Sequence, residues 1–317
     1  MRDPRDAIAA WLGRADVSIF YEFHRPPFGG ANQFLRALRR DFTRRGLRVE
    51  TNAVGPTSRG CLFNSFNFDV ERLTRRRRPG CAMVHRVDGP VALYRGQADG
   101  TDERVAAING ALADVTVFQS RYSRDAHEKM GSVFRRPTVI PNAVDPGIFH
   151  PAPAPRVPRG RKVRLISTAW SDNANKGGPA YRRLESMLDW SRFEYTFVGR
   201  CAESFERIRR VPPLRSRELA ATLRDHDIYV TASLHDPASN ALLEGLASGL
   251  PALYVKSGGH AEIAGEAGFG FDEVEHVPAL LDRMVAEYEE IRARIRVPAL
   301  ADVAERYLGL LMGTTPA

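Results

Sequence analysis

The chain has 317 residues, 43% of them hydrophobic and 26% charged, with a net charge of +8 and a pI near 9.7. This is room for two ordinary domains and the balance of a globular protein, not of a disordered or fibrous one. No window approaches the ~20 apolar residues needed to cross a bilayer, and Met1–Asp6 is not followed by a secretory apolar stretch. Cys61, Cys81 and Cys201 show no paired spacing, which argues against a disulfide framework or zinc site, and a cytoplasmic location is expected.

In chain order, short apolar runs alternate with helical patterns, the mark of βα units on a parallel sheet. Asp16–Phe23 is expected as the first strand, followed by a helix from Gly30 and a strand over Leu47–Thr51. That helix puts Phe34, Leu35, Leu38 and Phe42 on one side and Arg36, Arg39, Arg40, Arg44 and Arg45 on the other. A second arginine run follows at Arg75–Arg78. A solvated face explains both; a peripheral contact with an anionic membrane is the sharper alternative, and no motif supports nucleic acid. Further strands are expected at Cys61–Phe66, Ala82–Val87, Val115–Gln119 and Thr138–Pro141, with helices near 68–78, 101–112 and 122–131.

Composition shifts at Pro146–Gly160, where repeated prolines preclude regular helix and suggest a stiff connector. The expected division is residues 1–148, a linker over 149–161, a second domain over 162–297 and a C-terminal helix over 298–317 that packs back on the first domain. In the second domain, strands are expected at Val163–Ala169, Tyr195–Val198, Ile228–Thr231, Ala252–Val255 and Gly268–Phe271, with helices near 178–189, 217–224 and 237–248. The tail Val277–Met312 reads as two helical stretches broken at Val297–Pro298. The fold class is α/β: two Rossmann-like, doubly wound parallel-sheet domains facing a cleft.

Chemistry concentrates in His235–Pro251. Asp236 precedes a proline, which favours a helix start there, with unpaired N–H groups near Asn240, Ala241 and Leu242 available to an anion. Asp236 itself reads equally as a helix cap. Glu244 falls two turns in, among Leu242, Leu243, Leu246 and Ala247, where a buried carboxylate needs a partner: a ligand or an internal salt bridge. Asp225-His226-Asp227 imitates a metal-binding Asp-x-Asp but sits at the amino end of a strand, away from the expected cleft, and no catalytic metal is expected.

Four segments resemble, in order, those of GT-B glycosyltransferases of glycosyltransferase family 4. They are the loop Pro26–Gly30, the crossover Val139–Pro151, Asp236-x7-Glu244 with its Gly-Leu-Pro ending at Pro251, and Gly258-Gly259-His260-Ala261-Glu262. The resemblance implies a retaining, metal-independent transfer of a sugar from a nucleotide-diphosphate donor to an acceptor hydroxyl, with no cofactor. It gives Glu244 the donor ribose and Asp236 the transferred sugar. Lys176, before Gly177, is given the diphosphate; a solvent-exposed turn lysine is the plain alternative. The arginine usual five residues earlier is here Ser171, and Arg200 is a candidate substitute. His85, in His85-Arg-Val-Asp-Gly-Pro90, stands where the family often has a histidine near the anomeric centre. A satisfied core histidine, with Arg86 paired to Asp88, fits the same sequence. Gly29, Gly30, Gly258 and Gly259 would let backbone approach the donor, though tight turns also want glycine. The acceptor is left open, whether glycan, lipid-linked or small molecule, as are a non-catalytic nucleotide-sugar binder and another GT-B enzyme such as a nucleotide-sugar epimerase.

Overall fold

The computed structural model describes residues 15–25, 29–153 and 160–313. The amino-terminal signal reading, Pro26–Phe28 of the first glycine loop and residues 154–159 of the linker therefore lie outside the described residues. The chain divides into two compact units, one comprising residues 1–24, 31–142 and 298–317, the other residues 25–30 and 143–297.

The first unit carries β1 (Val17–Phe20), α1 (Gly30–Arg44), β2 (Val49–Thr51), β3 (Gly60–Asn64), α2 (Val70–Arg76), β4 (Ala82–Val87), α3 (Val91–Arg95), α4 (Thr101–Leu112), β5 (Val115–Phe118), α5 (Arg121–Lys129) and β6 (Pro137–Val139). The six strands form one parallel sheet in the order β2-β1-β3-β4-β5-β6. The inner strands β1, β3 and β5 are largely apolar and buried along their length, as strands covered on both faces require. Asp69 and Ser120 cap α2 and α5 by accepting the backbone N–H of Arg72 and Ser123, each at 2.9 Å. The short α3 was not expected from the sequence.

The second unit carries β7 (Val163–Ala169), a 3-10 turn at Ala174–Lys176, α6 (Gly178–Glu185), β8 (Phe193–Gly199), β9 (Arg209–Val211), α7 (Ser216–Arg224), β10 (Ile228–Thr231), α8 (Asn240–Ala247), β11 (Ala252–Val255), α9 (His260–Ala264) and β12 (Gly268–Phe271). These strands form a second parallel sheet, ordered β12-β11-β10-β7-β8-β9. Strand order reverses between β7 and β10, and in open sheets of this kind the crevice beyond the carboxyl ends of those two strands is the natural ligand site. One apolar layer centres on Leu165, Phe197 and Leu253, and the opposite layer on Ile166, Tyr229 and Leu246. Val144, Ile148 and Phe149 pack in the latter layer, so the crossover is already part of this unit's core.

Two expectations are corrected. The tail has three helices, α10 (Val277–Ala286), α11 (Tyr288–Ala293) and α12 (Leu300–Met312), because the chain also breaks at Glu287. The edge strand β9 was missed, since Arg-Arg-Val offers no apolar run.

α12 packs on the first unit. Tyr307 lies against Phe34 at 5.9 Å between ring centroids, Arg306 donates to the Val139 carbonyl at 2.6 Å, and Arg45 pairs with Glu305. Gly60 permits the contact: a Cβ there would lie 2.7 Å from the Leu311 Cα and overlap its carbonyl oxygen. Gly60→Ala is therefore expected to cost about 1–3 kcal/mol by overpacking, measured by urea unfolding. A loss within experimental error would show that α12 is not seated on β3.

Candidate functional site

The reversal between β7 and β10 is lined by the loops that leave the two strands. After β7 the chain runs through Trp170 and Ser171 to the 3-10 turn that ends on Lys176. Gly177 comes next, with φ of 86°. Glycine is required there, because a Cβ would come within 2.7 Å of the Ala232 backbone beyond β10. The Leu234 N–H donates to the Asn175 carbonyl at 2.6 Å, tying the two loops together. Across this seam the Lys176 ammonium donates to Asp236 Oδ2 at 2.8 Å.

The seam is held from a third side by Gly258 and Gly259. A Cβ on Gly258, whose φ is 67°, would lie 2.7 Å from the Asp236 nitrogen and overlap its carbonyl oxygen. The Gly259 N–H donates to that same carbonyl at 2.9 Å. His235, just before, has φ of 54°, a conformation costly for a non-glycine residue. Its N–H is fixed by Ser257 Oγ at 2.9 Å. Backbone strain is thus held in place where it aims Asp236.

Burial alone would raise the Asp236 pKa; the Lys176 ammonium, with smaller help from His260 and the Ala238 N–H, more than reverses this and holds it below the ordinary value. Burial likewise opposes the charged Lys176, and Asp236 more than compensates, raising its pKa. Lys176 is 31% exposed, so the pair is reachable by solvent and by ligands.

The helix start is a correction. α8 begins at Asn240, with Ser239 as its N-cap accepting the Leu242 N–H at 3.3 Å. Pro237 is not its first residue and Asp236 does not cap it, which leaves Asp236 free for Lys176. Asn240, Ala241 and Leu242 form the first turn, with the Leu242 N–H taken by the cap.

Glu244 lies on the next turn. No hydrogen bond or ion pair engages its carboxylate among the described residues. Protein surrounds it closely although the side chain still meets solvent, and burial pushes its pKa up to about 8. A carboxylate placed among leucines without a counter-charge costs stability that only a function explains.

The other sequence candidates fall into two groups. Arg200 follows β8, its N–H donates to the Ala169 carbonyl at 3.0 Å, and its guanidinium lies 5.1 Å over the Trp170 ring. Gly30, which groups with this unit, lies against Asn240, where a Cβ would sit 2.8 Å from its Cγ, while Gly29 has open space.

His85 is in the first unit and is 0% exposed inside β4. It stacks on Phe63 at 4.5 Å, donates from Nε2 to the Ser65 carbonyl at 2.9 Å and accepts the Asn109 amide at Nδ1 at 3.0 Å. Burial lowers its pKa to about 4, so it is a neutral, satisfied core histidine. Arg86 beside it is also 0% exposed and pairs with Asp88 at 3.0 Å and with Asn142 at 2.9 Å. In the decoy triplet, Asp227 is held bidentately by Arg161, both contacts 2.7 Å.

Sequence reasoning overlooked His260, the first residue of α9. It is 0% exposed, Nδ1 donates to the Val255 carbonyl at 3.1 Å, and Nε2 has no partner among the described residues. Burial lowers its pKa, while Asp236 opposes that shift. Its place between Gly259 and Ala261 was the available signal.

Two parallel six-stranded sheets, each flanked by helices, make the GT-B fold, and residues 184–289 match the family described as glycosyl transferases group 1. Fold and match together mark the chain as a glycosyltransferase. The match spans about a third of the chain and includes Arg200, Asp236, Glu244, Gly258 and Gly259. No curated protein sequence matches the chain. Among solved structures, a sucrose-phosphate synthase from Thermosynechococcus elongatus is similar at a TM-score of 0.69 and 15% identity, over 94% of this chain and 95% of that one. The Anabaena protein HepE, solved in complex with UDP-glucose, gives 0.65 and 12%, over 93% and 95%. WaaG, a glycosyltransferase involved in lipopolysaccharide biosynthesis, gives 0.61 and 14%, over 94% and 99%. At these identities the likeness is one of fold.

The raised Glu244 pKa has a stability consequence. Its folded value, about 8, lies above the ordinary 4.5, so folding favours the protonated form. Stability is then highest below pH 4.5 for this group and falls as pH rises through 8. Relative to wild type, Glu244→Gln should gain about 1–3 kcal/mol at pH 9 and nothing at pH 4, by urea unfolding. An equal effect at both pH values would contradict the raised pKa.

Proposed function

We propose that the protein transfers a sugar from a nucleotide-diphosphate sugar to an acceptor hydroxyl, with retention at the anomeric carbon and without a metal. The observation that carries this reading is the constellation at the β7–β10 reversal: the Lys176–Asp236 pair, the unpaired Glu244 and the first turn of α8. The second unit would hold the donor and the first unit the acceptor. HepE, solved with UDP-glucose on the same fold, supports a nucleotide sugar as ligand.

The groups divide the work by their chemistry. Glu244 accepts hydrogen bonds from the ribose hydroxyls, which supply the partner its carboxylate lacks and stabilise its charged form. The first turn of α8, through Asn240 and Ala241, turns its positive dipole end to the diphosphate. Lys176 adds a charge to the departing nucleotide diphosphate, and Arg200 stands in for the cation missing at Ser171. These groups supply the positive charge that metal-dependent transfer draws from an ion. Asp236 accepts from hydroxyls of the transferred sugar, and Gly258 and Gly259 let backbone approach it. No side chain at the seam is a separate nucleophile, which fits a front-face transfer in which the leaving phosphate accepts the acceptor proton. This reading gives His85 no part in the transfer, since both ring nitrogens are engaged within the core.

Exposed arginines on α1 and at the end of α2, including Arg44 and Arg75–Arg78, suit an anionic or lipid-linked acceptor at a membrane surface. Among the described residues no helix is long and apolar enough to cross a membrane. A second reading, a non-catalytic nucleotide-sugar binder, is favoured by Ser171 and by the locked His85.

Titration calorimetry against UDP-, GDP- and ADP-sugars tests the reading. Glu244→Ala and Lys176→Ala should each weaken the preferred donor by about 10- to 100-fold, the loss of one or two charge-assisted hydrogen bonds. Asp236→Asn should lower turnover far more than donor affinity. Unchanged donor affinity in the first two variants would overturn the site. Tight binding without turnover across an acceptor panel would favour the binder.

A further inference from the structure

At the amino ends of β7 and β8, the opposite end of the sheet from Lys176 and Asp236, the second unit has a groove of about 890 Å³. Four cations face it: Lys162, Arg164, Arg207 and Arg209. Of the two carboxylates that line it, Glu194 is engaged by Arg164 at 2.6 Å. Lys162, Arg207 and Arg209 have no ion pair among the described residues.

Lys162, Arg207 and Arg209 are exposed to solvent, but each is tethered by a contact at the groove. Lys162 Nζ donates to the Trp190 carbonyl at 2.6 Å, and Arg207 lies 4.7 Å over the Trp190 ring. Arg209 donates to Thr196 Oγ1 at 3.3 Å, and that hydroxyl also meets His226 Nε2 at 3.0 Å. The loop carrying Arg207 is anchored below by Glu185. One oxygen of this carboxylate accepts the backbone N–H of Glu206, Arg207 and Ile208 at 3.0, 2.7 and 2.8 Å. The Glu185 carbonyl accepts the Trp190 indole N–H at 3.1 Å. A single residue thus fixes both the aromatic wall and the arginine stacked on it, while buried Phe193 and Tyr195 pack beneath.

Four cations against two carboxylates, Glu194 and Asp225, leave the groove with an excess of positive charge that an anion would complement. We propose that this groove is a second binding site, for a small soluble phosphorylated molecule, distinct from the proposed donor seam. Its concavity suits a compact phosphoester or diphosphate better than a flat membrane surface, and Trp190 gives one side of the ligand an apolar wall. The site stands whether or not the sugar-transfer reading does, since it shares no residue with it.

The test uses Trp190 as a local reporter in the full chain carrying Trp11→Phe and Trp170→Phe. Inorganic pyrophosphate and glucose 6-phosphate are titrated at constant ionic strength while Trp190 emission is followed. A saturable change is expected, weakened at least tenfold by Lys162→Ala with Arg209→Ala and altered less than twofold by Lys176→Ala. Calorimetry on protein retaining all three tryptophans, with and without the Lys162 and Arg209 changes, should show the same tenfold loss should the reporter background fold poorly. A change reproduced by sodium chloride, indifference to the paired substitution, dependence on Lys176, or a response only to vesicles of anionic phospholipid would each overturn the proposal.

Discussion

The Lys176–Asp236 ion pair is the constraint on which the candidate site depends, because it closes the place where the strand order of the second sheet reverses. A parallel sheet wound in both directions leaves a crevice between its two central strands that no crossover helix covers. The backbone around the pair is shaped to bring these two side chains together: Gly177 fits against Ala232, Gly258 against Asp236, and His235 accepts a left-handed conformation between them. Each of these features costs conformational freedom, and together they set the positions of one cation and one anion.

Glu244 is the complement of that pair. Lys176 and Asp236 satisfy one another, whereas Glu244, on α8, is left without a counter-charge, its pKa raised to about 8 by burial. A fold selected only for stability would fill this position with another leucine, since deleting an unpaired buried charge is favourable. The contrast divides the site into a paired half, able to exchange its internal contact for a ligand, and an unpaired half that a ligand completes.

Much of the architecture was legible because strands buried on both faces write themselves as apolar runs: Val163–Ala169, Ile228–Thr231 and Ala252–Val255 appear as read. β9 was not legible, since Arg209, Arg210 and Val211 form an edge strand through backbone pairing to β8 alone. The start of α8 was misread because Asp-Pro and Ser-Asn are both respectable helix openings, and only the tertiary hold of Gly259 on Asp236 selects Ser239 as the cap. His85 shows a different limit. A histidine ending a strand looks the same in sequence whether it faces a ligand or, as here, fills a core between Phe63 and Asn109. The groove around Trp190 was invisible for a related reason, as Lys162, Arg207 and Arg209 come from three separated segments.

The proposed donor site requires Glu244 to be a carboxylate that lacks hydroxyl donors until the donor binds. Its ionisation can be followed directly by carbon NMR of protein labelled at the glutamate side-chain carboxyls, assigned with Glu244→Gln, with and without saturating nucleotide-diphosphate sugar. Titration near pH 8 in the free protein and a fall of at least one pH unit in the complex are the predicted result. An ordinary value near 4.5 in the free protein, or a value unmoved by bound donor, would contradict it.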